Sequence, residues 1–306
     1  MRFLAAYIMR GRMQAVLVAS VAAMLSMLLP PLSYFSGATI GLVTLRAGNR
    51  PGLGVILGAG VAVAVLTLVT MGSPVPALVF AIGLWGPVWV MANRLRRTVR
   101  LSDSLLLAGL FGAVLVIAFY AVVGEPATWW HQYLLELFKP ALQATGDETK
   151  RTAQLIVNLS QVMTGTMAAG LSLTLAGSLL LGRWWQALLY HPGGFRQEFH
   201  GLRLGRRLSS GTVVLLIGIL LASGTLKLMA IDLLFVAMAL HLLQGLATVH
   251  GLVGRSKAHI GWLIGLYVLL LLPPTMTQTA LTLAVAGFAD SWFDFRAFFN
   301  KRGGAG

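Results

Sequence analysis

The stretch TAQLIVNLSQVMTGTMAAGLSLTLAGSLLL, residues 152–181, is a long apolar segment that carries one stripe of larger polar side chains. A membrane-crossing helix needs about 20 apolar residues to traverse a hydrocarbon core of about 30 Å. The stripe consists of Gln154, Asn158, Gln161 and Thr164, at spacings of four, three and three residues. This spacing places the four side chains on one face of a helix. The stretch therefore predicts a transmembrane helix with one polar face.

The composition extends this prediction to the rest of the chain. Of the 306 residues, 57% are hydrophobic and 10% are charged, and the mean hydropathy is +0.81. Soluble domains are typically about a quarter charged, so this chain has too few charges to cover a water-facing surface. Cysteine is absent from the sequence, which excludes disulfides, thiolate metal sites and a cysteine nucleophile.

Further apolar segments follow one another from end to end. Together they cover residues 13–29, 34–45, 53–71, 76–92, 105–123, 152–181, 212–226, 230–250, 260–272 and 278–289. Segments 34–45 and 278–289 are short, so each is either a thin span or a re-entrant piece. We predict an all-α fold, a polytopic transmembrane helix bundle with roughly eight to ten spans. The first segment lacks a small-residue cleavage site, so we expect a retained span and not a signal peptide.

We expect one integral membrane domain over residues 1–306. Its N-terminal helices occupy 1–124, and an outer amphipathic loop with a helix on the membrane surface occupies 125–151. The polar-striped helix and a basic aromatic elbow fill 152–208, and C-terminal helices with a tail fill 209–306.

The basic residues predict the orientation. With ten crossings and the N-terminus inside, most of the 23 Lys and Arg residues fall on the inner side, as the positive-inside rule requires. Both termini are then cytoplasmic, and we expect the bacterial cytoplasmic (inner) membrane. The net charge of +14 thus reflects membrane topology, and nucleic acid is not expected as a partner.

Six residues are candidates for binding a solute. The four polar residues of the stripe either make hydrogen bonds between helices or line a water-accessible pocket that opens to the outer side. Asp232 follows a short outer turn with Lys227, where the two form an interfacial ion pair or sit at a pocket mouth. His241 lies in mid-span, one turn before Gln244, and is either a functional group or a hydrogen-bonded neutral imidazole. The candidates are Gln154, Asn158, Gln161, Thr164, Asp232 and His241.

Enzyme signatures are missing from the sequence. No histidine pair has metal-site spacing, and neither a GxxxxGK[ST] phosphate loop nor a GxSxG motif occurs. We therefore expect no catalytic residue, no metal and no cofactor, and we expect that the protein is not an enzyme.

Two surfaces are candidates for contact with a partner. Ala15, Ala19 and Ala23 form a small-residue ridge that packs within the chain or docks onto another subunit. The segment GRWWQALLYHPGGFRQEFHGLRLGRR, residues 182–207, interleaves arginines with aromatic residues, as does the stretch 289–299. Such segments either anchor at lipid headgroups or dock a cytoplasmic protein. The candidate docking residues are Ala15, Ala19, Ala23, Arg196, Arg203, Trp292 and Arg296.

The motifs GGFRQEFHGLRLG, residues 193–205, and ADSWFDFR, residues 289–296, carry a resemblance. They resemble the two signature regions of the YybS-like predicted bacterial membrane proteins, a family of unknown function. That family is distantly similar to the substrate-binding components of energy-coupling-factor vitamin transporters. Those components bind a small nutrient from outside and dock onto a coupling subunit through an Ala-xxx-Ala-xxx-Ala ridge, which Ala15, Ala19 and Ala23 match. This chain departs from them by having more than six spans.

Two functions follow as alternatives. In the first, the protein is a substrate-binding component for small-solute uptake with an outward-facing polar pocket. The resemblance then implies a small polar solute and a coupling membrane subunit with ATPases as partners, besides the lipid bilayer. In the second, the protein is a non-transporting membrane scaffold or assembly protein that uses its cytoplasmic basic aromatic surface.

Overall fold

The structure, a computed structural model, describes residues 1–142, 147–256, 259–293 and 295. The candidate docking residue Arg296 lies outside these residues. Helices make up nearly all of the described chain, which confirms the all-α fold class.

The helices follow one another through short connections. They are α1 (Arg2–Ile8), α2 (Arg12–Ser26), α3 (Ser33–Ala47), α4 (Asn49–Met71), α5 (Val75–Phe80), α6 (Gly86–Thr98), α7 (Leu101–Val123), α8 (Pro126–Leu137), α9 (Lys139–Leu142), α10 (Asp147–Tyr190), α11 (Gly194–His200), α12 (Arg206–Leu221), α13 (Gly224–Ser256), α14 (Gly261–Leu271) and α15 (Pro273–Phe293). A 3₁₀ turn over Pro30–Leu32 precedes α3, and a π-helical turn over Ala81–Trp85 joins α5 to α6. This π turn comes just before Pro87, which has no N–H to donate to the carbonyl four residues earlier.

Within the described residues, five stretches of helix are long and apolar enough to cross a membrane. They are Asn49–Met71, Val75–Thr98, Leu101–Val123, Thr149–Tyr190 and Gly224–Arg255. A sixth is counted if Gly261–Leu271 and Pro273–Phe293, which are bent by 116°, form one broken span. The chain is thus a multi-pass helical membrane protein, for which the lipid bilayer is the natural surrounding. Which side of the membrane each terminus occupies stays a prediction.

The number of spans is lower than the eight to ten that the apolar segments predict. The difference comes from helices that are too short to cross a membrane. Helices α2 and α3 have 15 residues each and α12 has 16. At 1.5 Å per residue they rise only about 22–24 Å, less than a hydrocarbon core of about 30 Å.

The chain divides into two compact units. Unit 1 comprises Met1–Ala108, Leu173–Leu204 and His241–Gly306, and unit 2 comprises Gly109–Ser172 and Gly205–Leu240. In unit 1, the buried Trp85 donates a hydrogen bond from Nε1 to Ser36 Oγ at 2.8 Å, and this hydroxyl donates to the carbonyl of Ala19 at 2.7 Å. The chain of two bonds joins the π turn, α3 and α2.

Unit 2 has its core where α7, α10 and α13 meet. Val116, Ala168 and Val236 are buried there, with Met229 and Leu233 packed beside them. The polar interval 125–151 contains the predicted helix, α8, whose Trp129 and Trp130 pack against Phe119 at ring-centroid distances of 5.4 and 5.7 Å.

Candidate functional site

The main candidate for a functional group is Asp232, a buried acidic residue of α13 in unit 2. Its side chain is 2% exposed. Oδ2 accepts a hydrogen bond from the Tyr120 hydroxyl of α7 at 2.7 Å, and Oδ1 accepts one from the backbone N–H of Gly165 of α10 at 2.9 Å. One carboxylate therefore links three helices. Ionisable side chains inside transmembrane helices are costly, and they typically mark functional sites.

A close approach of two backbones brings Asp232 to α10. A Cβ atom added at Gly165 would lie 2.9 Å from the Cα atom of Asp232 and 3.0 Å from Cδ2 of Phe235. Only glycine lets the helices come this near, and the approach carries the N–H of residue 165 to the carboxylate. The backbone of α10 is therefore a part of the site.

The structure shows no basic side chain that balances the charge of Asp232 in the described part of the chain. Among the described residues, no Lys, Arg or His lies within ion-pair distance of it. The expected ion pair with Lys227 is wrong, since Lys227 is exposed and lies five positions earlier on the same helix. Side chains meet on a helix at separations of three and four, not five. An ionised carboxylate accepts about four hydrogen bonds, so each oxygen keeps room for another donor.

The polar stripe of α10 divides into an exposed part and a buried end. Gln154, Asn158 and Gln161 are exposed, and Gln154 Nε2 donates to Asn158 Oδ1 at 3.0 Å. Thr164 is buried, and its hydroxyl accepts a hydrogen bond from Trp130 Nε1 at 3.0 Å. The next residue is Gly165, whose N–H binds Asp232. The stripe thus runs along α10 from an exposed face to the buried carboxylate.

His241, the remaining candidate for solute binding, belongs to unit 1. It is fully buried, and its ring meets Phe288 of α15 edge to face at 5.4 Å. Its backbone also lies in a tight contact, because a Cβ atom at Gly287 would clash with the carbonyl of His241. The structure gives this histidine a place in the packing of α13 against α15.

A second polar network in unit 1 centres on Gln244. Its Oε1 accepts a hydrogen bond from the N–H of Leu204 at 3.0 Å. Its Nε2 donates to Asp290 Oδ2 at 3.2 Å and to Ser291 Oγ at 3.0 Å. One fully buried amide therefore ties α13 to α15 and to the segment before α12.

Asp290 is a second buried carboxylate, which the sequence pattern did not indicate. It lies in the stretch 289–299, whose aromatic residues and arginine predict an interfacial segment. In the structure Asp290 is 2% exposed. The buried residues of α15 are Leu283, Ala284, Gly287 and Asp290. Their spacing of one, three and three positions follows one helical face, and this periodicity is the signal that could have located Asp290.

The three alanines of the candidate docking ridge are covered by the chain itself. Ala15, Ala19 and Ala23 are at most 1% exposed, and their helix α2 packs against α3 and α4. In this conformation a second subunit has no access to them. Their role in docking stays a prediction, and it requires α2 to move.

The basic aromatic elbow forms a turn locked by an ion pair. Helix α10 ends at Tyr190 and α11 begins at Gly194, so the chain turns at residues 191–193 within the predicted elbow. Arg183 binds the carboxylate of Glu198 across this turn through Nε and Nη2. Arg196 and Arg203 are exposed, and Trp292 is 41% exposed.

A histidine pair lies beside the elbow. The rings of His200 and His250 are 6.2 Å apart, and Phe199 meets His250 edge to face at 5.6 Å. His250 Nδ1 lies 2.9 Å from the carbonyl of Leu246, so this nitrogen carries the proton. Burial, followed by the charges of Arg196, His250 and Arg255, lowers the pKa of His200. The fold thus favours the neutral form of His200.

In the described part of the chain, His, Asp and Glu form no group of three or more that could hold a metal ion.

No family model matches the chain, and no curated protein or solved structure matches it. The resemblance to the YybS-like family therefore stays a prediction.

Proposed function

We propose that the protein is a substrate-binding component for the uptake of a small polar solute, and that Asp232 is the anionic group of the binding site. The observation that carries this proposal is the buried carboxylate of Asp232, which has no cationic partner among the described residues. A solute with a protonated amine has the complementary chemistry.

The energetics of Asp232 support this choice of solute. A charge taken out of water is expensive unless it is paired and hydrogen-bonded. Tyr120 and the N–H of Gly165 each supply one hydrogen bond, but neither supplies a positive charge. An ammonium group offers three donors and a full positive charge, so it would occupy acceptor positions that the helices leave open.

The polar stripe supports the same site from the neighbouring helix. Amide groups on a membrane helix need partners, and the exposed Gln154, Asn158 and Gln161 offer donors and acceptors along one face of α10. A polar solute can exchange its hydration for these groups before it reaches Thr164 and Asp232. The stripe is thus proposed as the entry face of the site.

The energy for uptake would come from another protein. The chain has no phosphate-loop motif, so it does not hydrolyse ATP by that mechanism. We propose that a coupling membrane subunit with ATPases supplies the energy and that this chain is not an enzyme.

Affinity purification in native lipid, with mass spectrometry of bound small molecules and of partner proteins, tests the proposal. Asp232→Asn keeps the shape of the side chain and removes its charge, and Asp290→Asn makes the same change at the other buried carboxylate. We expect an amine to co-purify with the wild type and with Asp290→Asn, and to be lost from Asp232→Asn. A coupling subunit with ATPases should co-purify with all three. Equal solute in the two variants would contradict the proposed site.

The scaffold function is the second candidate. It is supported by the exposed arginines of the segment 182–207, of which Arg196 and Arg203 belong to unit 1 and Arg206 and Arg207 to unit 2. Replacing Arg203, Arg206 and Arg207 by Gln should then remove specific co-purifying proteins. If every co-purifying protein remains, the scaffold function is wrong.

A further inference from the structure

A polar cavity lies in unit 1, where α4 begins and α6 ends. It has a volume of about 290 Å³ and is lined by Asn49, Asn93, Arg96 and Arg97. Asn49 is the first residue of α4, and Arg96 and Arg97 belong to the last turn of α6. Two guanidinium groups and two amides therefore surround one space. This lining is rich in hydrogen-bond donors and carries two positive charges.

The two asparagines are held in place by Trp89. Its indole Nε1 donates to the carbonyl of Asn49 at 2.9 Å, and its own carbonyl accepts a hydrogen bond from Asn93 Nδ2 at 3.0 Å. Asn49 Oδ1 accepts from the N–H of Arg50 at 2.8 Å, which leaves the amide nitrogen of Asn49 as a donor. Both asparagines beside the cavity are thus held by hydrogen bonds to Trp89.

Gly48, just before α4, leaves space for the side chain of Arg96 to approach the backbone. Its φ is +112°, a conformation that favours glycine. A Cβ atom there would lie 2.9 Å from Nη1 of Arg96. The absent side chain therefore leaves room for the guanidinium beside the N-terminus of α4. That helix has 23 residues, and its dipole adds positive potential at the same place.

The charges of the cavity form no ion pair with the part of the protein that the structure describes. Arg94, the neighbouring arginine, forms an ion pair with Asp103 at 3.7 Å. The ion pairs found within the described ranges do not include Arg96 or Arg97. Two adjacent guanidinium groups repel each other, and an anion between them would remove this repulsion. The cavity has the electrostatics of an anion site.

The position of the cavity indicates which kind of anion it could bind. Both helices that form it cross the membrane, over Asn49–Met71 and Val75–Thr98, and the cavity lies at the end of each. The ends of membrane-spanning helices lie at the level of the lipid headgroups. Basic pockets between such helices bind lipid phosphates, and arginine pairs phosphate oxygens through two parallel N–H groups.

We propose that this cavity binds a phosphate group, and that Arg96 and Arg97 hold its oxygens while Asn49 and Asn93 border it. Two sources share this chemistry, the headgroup of an anionic phospholipid and free inorganic phosphate. The site is separate from Asp232 and does not depend on the uptake function.

Native mass spectrometry of the purified full chain measures the binding. The protein is incubated with phosphatidylglycerol, with phosphatidylcholine or with inorganic phosphate, and the bound fraction is compared for wild type, R96Q/R97Q and R2Q/R10Q. The last variant is the matched control, because it also removes two exposed arginines. We expect R96Q/R97Q to bind phosphatidylglycerol roughly 30-fold more weakly, from the contribution of two basic residues near an anionic lipid. R2Q/R10Q should bind like the wild type.

The outcomes separate the two sources. Phosphatidylglycerol bound through Arg96 and Arg97 identifies the lipid headgroup, and inorganic phosphate bound through them, without the lipid, identifies the free ion. Equal binding by the two double variants, or no binding of either probe by the wild type, would overturn the proposal. If R96Q/R97Q fails to fold by circular dichroism, R96K/R97K replaces it. Lysine keeps the charge and loses the paired N–H groups, so affinity should fall about threefold, and unchanged affinity counts against the site.

Discussion

Asp232 in unit 2 and Asp290 in unit 1 are both 2% exposed, yet their surroundings differ. Asp290 accepts from an amide, Gln244 Nε2, which itself belongs to a network tying three chain segments together. Asp232 accepts from a phenol hydroxyl and from the N–H of a glycine where two helix backbones nearly touch. The first arrangement joins three chain segments of unit 1, and the second joins three helices of unit 2. In our proposal only the second carboxylate binds a solute, so burial alone does not separate the proposed binding group from a carboxylate that serves packing.

The largest effect on stability is expected at the network of Asp290. Gln244→Leu removes the acceptor of the Leu204 N–H and one donor to the carboxylate of Asp290, and a buried group that loses its partner costs about 1–3 kcal/mol. We expect the free energy of unfolding to fall by about 2–4 kcal/mol, measured by denaturant titration in detergent. Gln278→Leu, at an exposed amide of α15, should change it little. A small loss for Gln244→Leu would mean that the network is not structural.

A smaller effect on stability is expected at Asp232. Tyr120→Phe removes one hydrogen bond, and such bonds contribute about 0.6 kcal/mol on average in membrane proteins, with about 1.7 as the highest value. We expect a loss of about 1 kcal/mol, with Tyr133→Phe on the exposed face of α8 as the control. If Tyr120→Phe lowered the free energy of unfolding as much as Gln244→Leu, Asp232 and Asp290 would not differ in their contribution to stability.

The smallest effect concerns pH and the elbow of unit 1. Because the pKa of His200 is lowered in the folded protein, the unfolded chain binds more protons between that value and about 6.5. Stability should therefore decrease as the pH falls through this window and level off below it. His200→Gln should flatten the decrease in thermal unfolding curves, while His191→Gln, at an exposed position, should not. A pH dependence that survives His200→Gln would have to come from another group.

The fold class could be predicted because it depends on composition. Too few charges and long apolar stretches leave a multi-pass membrane bundle as the only consistent solution. The number of spans could not be predicted as well, since hydropathy does not show where a helix ends. Helix α2 ends at Ser26, before the apolar run does, and the chain bends by 116° between Gly261–Leu271 and Pro273–Phe293.

The candidate site could be predicted only in part. Asp232 stands out in the sequence as an acid in an apolar stretch, but its partners are 112 and 67 residues away. Such contacts depend on how helices pack, so the nearby Lys227 was the wrong choice. Asp290 was missed because the aromatic residues around it suggested a tail and not a buried helix face. His241 was grouped with Asp232 because both are ionisable residues in the same apolar segment. The structure places His241 in unit 1 and Asp232 in unit 2.

Thermal unfolding of the purified protein with small amines tests most directly whether Asp232 is a binding carboxylate and Asp290 a structural one. Ethanolamine, putrescine and lysine are added in turn to the wild type, Asp232→Asn and Asp290→Asn. A ligand that binds only the folded state stabilises it, by about 2.7 kcal/mol at a hundredfold excess over Kd. We expect at least one amine to raise the Tm of the wild type and of Asp290→Asn but not of Asp232→Asn. An equal rise in Asp232→Asn, or no rise in the wild type with any of the three, would contradict the proposed site.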